Sequence, residues 1–198
     1  TSVDGLEVKA SDLTGKYTDL KATVDGLSAE VKKDIKITGG GNLILGSESF
    51  KNAELKGNTG DGSSITYELT GGATMANTNS NRYFRWTTVG AYVAKGVTLC
   101  LSVMYKPVSG ADEFCMEIAY TAGYSTSQSW ATIKPTDQLE IEQTDGWVLR
   151  YGLWTPPDNA TLKLVDMGSG TTHAGTGNYT NKFSLLHPML QYLSLIHI

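Results

Sequence analysis

Apolar residues recur at intervals of three and four in the first part of the chain, in the segment "VDGLEVKASDLTGKYTDLKATVDGLSAEV". The recurring positions are Val3, Leu6, Ala10, Leu13, Tyr17, Leu20, Val24, Leu27 and Val31. They have the spacing of the a and d positions of an unbroken heptad repeat, which is typical of a coiled coil. A single amphipathic helix packed on the next domain is the alternative, but such a helix usually has a wider apolar stripe. The pattern therefore favours a helical stalk over residues 1–34 that associates with copies of itself.

Three glycines, Gly5, Gly15 and Gly26, lie on outer positions of the predicted stalk. Each costs a helix about 1 kcal/mol relative to alanine, so we expect this helix to depend on its partners for stability. Tyr17 occupies an a position, where a side chain of this size fits a bundle wider than a dimer. We expect a homo-oligomer, specifically a trimer, with a glycine-rich linker at residues 35–41.

After residue 41 apolar residues alternate with polar ones, and clusters of Gly, Asn, Asp, Ser and Pro separate the alternating segments. A period of two is typical of strands that bury one face. About nine strands are predicted from this pattern. They lie at residues 42–50, 64–69, 82–93, 97–105, 113–120, 138–143, 147–154, 160–167 and 182–191. Short strands at this spacing predict an antiparallel β-sandwich over residues 42–192.

The alternation also assigns faces to the strands, because successive side chains of a strand point to opposite sides. In the two central strands, "VTLCLSVMY" and "FCMEIAY", every second residue is large and apolar, and we assign that face to the core. In residues 147–154 the series that begins at Trp147 is assigned to the core. Arg150 and Trp154 are then predicted on the outer face.

Charge and hydropathy exclude two classes of partner. The net formal charge is −4, and no cluster of Lys and Arg lies among aromatic residues, so a nucleic-acid interface is not expected. No apolar run approaches the roughly eighteen residues of a membrane span, so insertion in a membrane is not expected. Residues 1–20 follow the heptad pattern rather than that of a signal peptide.

The two cysteines, Cys100 and Cys115, lie in strand-like segments on either side of the turn "KPVSGAD". If these strands form a hairpin, Cys100 lies opposite a residue close to Ala119. The two sulfur atoms are then roughly 13 Å apart, beyond the reach of a disulfide. No second Cys or His falls at the spacing of a zinc site. Both residues are predicted to be free thiols.

The order of these segments resembles that of the jelly-roll carbohydrate-binding modules of polysaccharide-degrading enzymes and phage tail proteins. The resemblance lies in "NLILGSESF", "VTLCLSVMY", "TDGWVLRYGLWTPPDNATLKLV" and "FSLLHPMLQ", of which the "DGW" block is the most specific. The heptad segment resembles the stalks of tail, baseplate and fibre proteins of phages of Gram-positive hosts. The resemblance implies a mainly β jelly-roll sandwich after an N-terminal coiled coil, and a location in a virion tail or outside the cell.

The resembling family often holds a structural calcium with acidic residues of the first and last strands. Here Glu48 is present early, but the last strand has Gln191 where a glutamate is common, and it contains no aspartate. Calcium needs several hard oxygen ligands, and the sequence does not indicate where they would converge. No cofactor is predicted, and the ligands of any metal stay open.

Sugar binding requires an aromatic ring for the apolar face of the sugar and polar side chains for its hydroxyl groups. Trp130 is the first candidate, because it lies with Tyr124 and Gln128 in the polar segment "AGYSTSQSWATIKPTD", where a loop is expected, and aromatic residues in loops are often functional. Trp154 and Arg150 are the next candidates, as an aromatic residue and a cation on a predicted outer face.

Tyr83 and Arg85 share the outward face of their strand and complete the set of predicted ligand-binding residues. Trp86 and Trp147 are assigned to the core, since large aromatic residues mostly serve packing. The tryptophan corresponding to Trp147 is also structural in the resembling family. For every candidate the alternative is a partly exposed residue that covers an edge of the sandwich.

No catalytic residue is predicted, and the chain is not expected to be an enzyme. The segment "GSG" at 168–170 lacks the strand-to-helix context of a nucleophile elbow. Glu140 and Glu142 alternate on one strand about 7 Å apart, but a single strand supplies no opposing wall for a sugar. His173 is expected in a loop and His187 in an apolar strand, so neither is expected to act as a base.

The sequence thus predicts a non-catalytic host-recognition module that binds polysaccharide or a cell-surface glycan and is multimerised by its stalk. One alternative is a structural spacer or protein-docking domain of a tail fibre or baseplate. Another is an appended domain of a larger glycan hydrolase. The final "LSLIHI", residues 193–198, is similar to a translated sequencing adapter and is expected to be foreign to the protein, in which case the native C-terminus is missing.

Overall fold

The computed structural model describes residues 41–58, 62–169 and 179–193. The predicted stalk, the linker up to residue 40 and residues 194–198 lie outside the described residues, as does His173. The coiled coil, the trimer and the foreign C-terminal segment therefore stay predictions.

Strands dominate the described residues, and every pairing between them is antiparallel. The strands are β1 (Glu54–Asn58), β2 (Ser64–Tyr67), β3 (Ala73–Thr87), β4 (Tyr92–Val93), β5 (Leu99–Gly110), β6 (Phe114–Ala122), β7 (Gln128–Ile133), β8 (Leu139–Glu142), β9 (Val148–Trp154), β10 (Ala160–Ser169) and β11 (Tyr179–Tyr192). Single 3₁₀ turns occupy Phe50–Asn52 and Pro135–Asp137. The predicted mainly β, antiparallel fold is confirmed.

The strands form two layers that share β3. The first layer has the order β1, second half of β3, β10, β6, β7, and β4 pairs with the start of β10. The second layer has the order β2, first half of β3, β11, β5, β9, β8. This arrangement is consistent with the predicted jelly-roll sandwich.

A bend in β3 marks its passage from one layer to the other. Asn79, at the bend, has a φ of 47°, in the left-handed region that asparagine tolerates. Beside it the buried Asn77 donates from Nδ2 to Oδ1 of Asn181 at 2.9 Å, and Asn181 donates from its own Nδ2 to Oγ of Ser169 at 2.9 Å. The buried polar groups at the bend thus satisfy one another, which burial requires.

The core lies between the layers and contains side chains from both of them. Phe114 of the first layer meets Phe183 of the second edge-to-face, with ring centroids 5.5 Å apart. A Cβ atom added to Gly152 of β9 would come within 2.4 Å of Ile133 of β7. The core positions predicted in the two central strands are confirmed from Leu99 to Tyr105 and from Phe114 to Tyr120, since their large apolar side chains are nearly inaccessible to solvent. Val97, also predicted in the core, is only partly buried.

Several predicted element boundaries were wrong. The opening segment at residues 42–50 forms only a single bridge, between Ile44 and Thr88, rather than a strand. The polar segment "MANTNSN", expected to precede a strand, belongs to β3, because its amide and hydroxyl side chains have buried partners. Trp130, expected in a loop, lies in β7.

The two cysteines are free, as predicted, but not for the predicted reason, and both are buried. β5 and β6 are consecutive without being paired, since β5 pairs with β11 and β9 while β6 pairs with β10 and β7. Burial raises the pKa of Cys100 to about 11 and that of Cys115 to about 12. Both thiols are therefore protonated and unreactive at neutral pH.

The predicted face assignment of residues 147–154 was also wrong. In the register of β9 with β5, Arg150 lies opposite Val103 and Trp154 lies opposite Leu99, both of which are core residues. Paired residues of adjacent strands share a face, so Arg150 and Trp154 point inward. Gly152, which contacts Ile133 across the sandwich, points the same way.

This inward direction predicts the effect of Gly152→Ala. The added methyl group would overlap Ile133, so the free energy of unfolding should fall by about 1–3 kcal/mol, as measured by urea denaturation. In the Ile133→Ala background the same substitution should cost much less, because the space is then open. Gly41→Ala is the control, since no described residue other than its chain neighbour comes within 4 Å of the added Cβ. Strictly additive effects of the two substitutions would contradict the contact.

Candidate functional site

The outer face of the first layer carries a group of five residues that we call the outer-face cluster. Its members are Tyr83, Arg85, Glu117, Trp130 and Asp166. Sheet register brings them together: Asp166 of β10 lies opposite Arg85 of β3 on one side and opposite Glu117 of β6 on the other. Trp130 lies opposite Ala119, two residues along the same face of β6 from Glu117. The cluster therefore spans four neighbouring strands.

Arg85 and Asp166 form the centre of the cluster. Nε of Arg85 donates to Oδ1 of Asp166 at 2.8 Å, and Nη2 donates to Oδ2 at 2.7 Å. The carboxylate is inaccessible to solvent, whereas 19% of the Arg85 side chain is exposed. These hydrogen bonds raise the pKa of the Arg85 guanidinium above its ordinary value. The bidentate geometry fixes both the position and the plane of the guanidinium.

Two aromatic rings flank the same guanidinium. The Cζ atom of Arg85 lies 5.5 Å from the ring centroid of Tyr83 and 5.3 Å from that of Trp130, both within the range of a cation–π contact. Tyr83 is 7% exposed and Trp130 is partly exposed. Arg85 thus links two aromatic residues from strands that are not neighbours into one surface.

Polar side chains surround this aromatic surface. Glu117, fully buried, accepts a hydrogen bond at 2.9 Å from Oγ1 of Thr132 on β7. At the β1 edge, Lys56 forms an ion pair with Glu54 and lies opposite Tyr83. At the other edge Gln128 lies on the face of Trp130 and is exposed. Donors and acceptors are therefore available on both sides of the rings.

The accessibility of the carboxylates limits what the cluster can do. Glu117 and Asp166 are adjacent on paired strands, but both are completely buried. They hold neighbouring side chains in place and do not present an oxygen atom to a substrate. The exposed parts are an indole, a guanidinium and an amide, a set suited to binding an amphipathic molecule such as a sugar.

The structure brings together four of the seven predicted ligand-binding residues. Trp130, Tyr83 and Arg85 belong to the outer-face cluster, and Gln128 lies on the same face. The predicted outward direction of Tyr83 and Arg85 is confirmed. Tyr124 is fully exposed in the loop between β6 and β7 and lines a separate groove.

Arg150 is a buried residue of the sandwich, not part of this surface. It is 5% exposed, and its Cζ atom lies 3.9 Å from the ring centroid of Tyr105. Nη1 donates to Oδ1 of Asp112 at 2.8 Å, and Nη2 pairs with Glu140. Burial opposes the charge, but the two carboxylates outweigh it and raise the pKa of Arg150. Glu140 is therefore a partner of this arginine.

The remaining tryptophans occupy three different settings. Trp154 packs on Tyr120 with ring centroids 4.7 Å apart and borders the core. Trp86 is 2% exposed, as predicted for a core residue. Trp147, also predicted in the core, is instead partly exposed, with Nζ of Lys106 lying 6.0 Å from its ring centroid. Trp147 and Trp154 lie on opposite faces of this segment, so the reversal of the predicted faces places Trp147 outside and Trp154 inside.

Sequence reasoning missed the two buried carboxylates of the cluster. Glu117 lies in "FCMEIAY" and Asp166 in "LVDMG", each the single charged residue within an apolar stretch of strand. A charge at such a position is a usable signal, because buried charges need a specific partner. The signal does not identify the partner, which lies on another strand.

Neither a metal-binding group nor a membrane-spanning helix is found in the described part of the chain. No group of three or more His, Cys, Asp or Glu residues there is arranged to hold a metal ion. Glu48, considered for calcium, accepts a hydrogen bond from Nδ2 of Asn52 at 2.8 Å. Within the same residues, no helix has the length and hydropathy to cross a membrane.

Comparison with known proteins gives distant similarity in fold. No protein-family model matches the chain, and no curated protein sequence matches it. Among solved structures, the enzymatically active domain of bacteriophage CBA120 tailspike protein 4 is similar at 12% identity and a TM-score of 0.47, over 79% of this chain and 21% of that chain. The CBM22-1–GH10 modules of Clostridium thermocellum xylanase 10B, complexed with xylohexaose, are similar at 13% identity and a TM-score of 0.47, over 77% and 29%.

A smaller similar structure is the CBM22-1 xylan-binding domain of Paenibacillus barcinonensis Xyn10C. It is 14% identical, with a TM-score of 0.41, over 80% of this chain and 100% of that domain. The chain thus matches the whole length of this domain but less than a third of the first two proteins. At these TM-scores the similarity assigns neither a family nor an activity.

The bidentate pair predicts a large effect of Arg85→Ala. Removal of the guanidinium leaves the carboxylate of Asp166 in a completely buried position, so the free energy of unfolding should fall by about 3–5 kcal/mol. Adding Asp166→Asn should recover part of this loss, because the buried charge is then gone. Urea denaturation measures both effects.

Lys56→Ala is the matched control for Arg85→Ala. Lys56 belongs to an ion pair on the same face, but its side chain is 35% exposed, so the cost should be about 0–1 kcal/mol. If Arg85→Ala costs no more than Lys56→Ala, the buried pair does not organise the outer face.

Proposed function

We propose that the chain is a non-catalytic carbohydrate-binding module that uses the outer-face cluster to bind polysaccharide or a cell-surface glycan. The observation that carries the proposal is the contact of Arg85 with both Tyr83 and Trp130, which makes one rigid surface of rings and hydrogen-bond donors. The apolar face of a pyranose packs on the exposed indole edge. Arg85 and Gln128 then reach the hydroxyl groups around that face.

Rigidity is what suits this surface to a weak, polar ligand. Asp166 fixes Arg85, and Arg85 in turn contacts both rings, so little conformational freedom is lost when a sugar binds. The side chains that a ligand can reach carry no uncompensated negative charge, because both acids of the cluster are buried. The proposed ligand is therefore a hydroxyl-rich glycan.

The stalk gives this weak site its biological use. We propose that the heptads of residues 1–34 gather the domains into a trimer, which places several sites on one particle. Multivalent attachment raises the apparent affinity by factors of about 10²–10⁴. The resemblance of the rod and sandwich to phage tail proteins supports host recognition by a tail protein of a phage or prophage, hence a location in the virion or outside the cell.

A structural spacer or protein-docking domain is the second candidate. Leu139 of β8 and Leu153 of β9 are 48% and 44% exposed. Both lie on the outer face of the second layer, since Leu139 pairs with Tyr151, two residues from Leu153 on that face. Neighbouring exposed leucines favour contact with another protein.

The central prediction concerns Trp130→Ala. Loss of the indole should weaken binding to immobilised polysaccharide or intact cell wall by at least about tenfold, since aromatic residues dominate such contacts, while the fold is retained. Glycan arrays and pull-down measure binding, and circular dichroism measures folding. Trp147→Ala is the matched control, because Trp147 is also partly exposed but lies outside the cluster. Absence of binding by the unmodified protein across the panel would favour the spacer.

A second prediction concerns the stalk. Removal of residues 1–41 should convert the oligomer to a monomer by light scattering, because the heptad seam is lost. Binding to a dense glycan surface should then fall by about 10²–10⁴, whereas the affinity for a short soluble oligosaccharide should be unchanged. A full chain that stays monomeric at high concentration would contradict the proposed role of the stalk.

A further inference from the structure

A second groove lies where β6 ends and β10 begins. It is lined by Tyr92, Ala122, Gly123, Tyr124, Asp158 and Asn159, and we call it the end groove. Its volume is about 300 Å³, at the lower end of the range for small-molecule sites. Gly123, just after the end of β6, is four residues from Ala119, the partner of Trp130, so the two places are roughly 13 Å apart. The end groove is thus separate from the outer-face cluster.

Two tyrosines border the end groove and are strongly exposed. Tyr92 is 61% exposed, and Tyr124 is fully exposed. The backbone of Tyr92 is held in place, since it pairs with Thr161 and its carbonyl oxygen accepts a hydrogen bond from the Tyr192 hydroxyl at 3.1 Å. Exposed aromatic rings beside a groove are common in ligand sites, because a bound molecule can cover their apolar faces.

The polar groups at the end groove are held in place by hydrogen bonds that leave some of their donors and acceptors without partners among the described residues. The backbone carbonyl of Asn159 accepts from the Gly123 amide at 2.6 Å, and its Oδ1 accepts from the Lys95 amide at 2.9 Å. Asp158 uses Oδ1 to accept from the Asn159 amide at 2.8 Å. Within the described residues, Oδ2 of Asp158 and Nδ2 of Asn159 have no hydrogen-bond partner. One acceptor and one donor are therefore available to hydrogen-bond a ligand.

The small residue at position 123 keeps the acceptor accessible. A Cβ atom on Gly123 would be in van der Waals contact with Oδ2 of Asp158, at 3.5 Å, so a longer side chain at this position would cover part of that oxygen. Gly123 also has a φ of 54°, a conformation that side chains other than those of Asn and Asp rarely adopt. The backbone conformation and the space beside Asp158 thus both favour glycine at this position of the groove.

We propose that the end groove is a second glycan subsite that takes a neutral pyranose unit. The rings of Tyr92 and Tyr124 together cover the apolar surface of the sugar. Oδ2 of Asp158 accepts from its hydroxyl groups, and Nδ2 of Asn159 donates to a hydroxyl oxygen. The negative charge of Asp158 disfavours uronic acids. The subsite shares only the class of ligand with the proposed function, since none of its residues belongs to the outer-face cluster.

Amide chemical shifts provide the test, because they locate binding residue by residue. ¹⁵N-labelled protein is titrated with methyl β-glycosides of glucose, xylose, galactose and N-acetylglucosamine, and with galacturonic acid. At least one neutral glycoside should shift the amide signals of Gly123 and Asn159 in a saturable way, both in the unmodified protein and in Trp130→Ala. Galacturonic acid should shift them less, and Asp158→Asn should reduce that difference.

Variants of Tyr124 separate stacking from other effects. Tyr124→Ala should weaken the binding that is reported by Gly123 about tenfold, whereas Tyr124→Phe, which keeps the ring, should retain it. Tyr92→Ala should have a comparable effect. Equal binding by Tyr124→Ala and the unmodified protein would overturn the subsite.

The locations of the shifts distinguish this inference from the proposed function. Shifts confined to Trp130 and its neighbours overturn the end groove and leave the outer-face site intact. Shifts confined to Gly123 and Asn159 support the end groove and count against the outer-face site. No shift at either place with any of the sugars overturns both.

Discussion

The structure depends on one constraint, which is that β3 belongs to both layers. Its first half pairs with β11 and its second half with β10. Buried amide hydrogen bonds hold the point where it bends, so the strand cannot slide. A shift of one residue would exchange the two faces of the strand, bringing Phe84 and Trp86 to the surface and Arg85 into the core. The bend therefore determines which side chains the outer face can use.

The buried pair of Arg85 and Asp166 connects the register of β3 to the arrangement of side chains on the outer face. Arg85 and Asp166 meet because they are opposite residues of paired strands, and no loop conformation is involved. Buried ion pairs seldom add much stability, because desolvation offsets attraction. What this pair contributes is orientation, since a bidentate guanidinium has one allowed plane and both aromatic rings lie beside it. The two acids of the cluster position the side chains beside them, and only those side chains can contact a ligand.

The sequence predicted the strand faces that depend on local alternation. It did not predict the features that depend on contacts between residues far apart in the chain. The core faces of β5 and β6 followed from their apolar alternation, and Trp86 was placed correctly. The faces of β9 were reversed because the series that begins at Trp147 is the more apolar one, whereas the opposite series is buried with Arg150 neutralised by Asp112 and Glu140, 38 and 10 residues away. Tyr83 and Arg85 were placed together on one strand face, and Trp130 was found separately. That they meet depends on the strand order β3, β10, β6, β7, which a period of two does not encode.

The two surfaces proposed for binding differ in how their aromatic residues are held, and this difference has a physical consequence. Trp130 is fixed against Arg85 and partly buried, so it can contact a sugar with little loss of freedom, but it offers only part of its ring. Tyr124 is fully exposed in a loop, so it offers more area and loses more freedom when it is covered. Neither arrangement favours tight binding by a single site. Strong attachment must then come from the number of sites that engage one glycan surface together, which is the circumstance in which a multimerising stalk is useful.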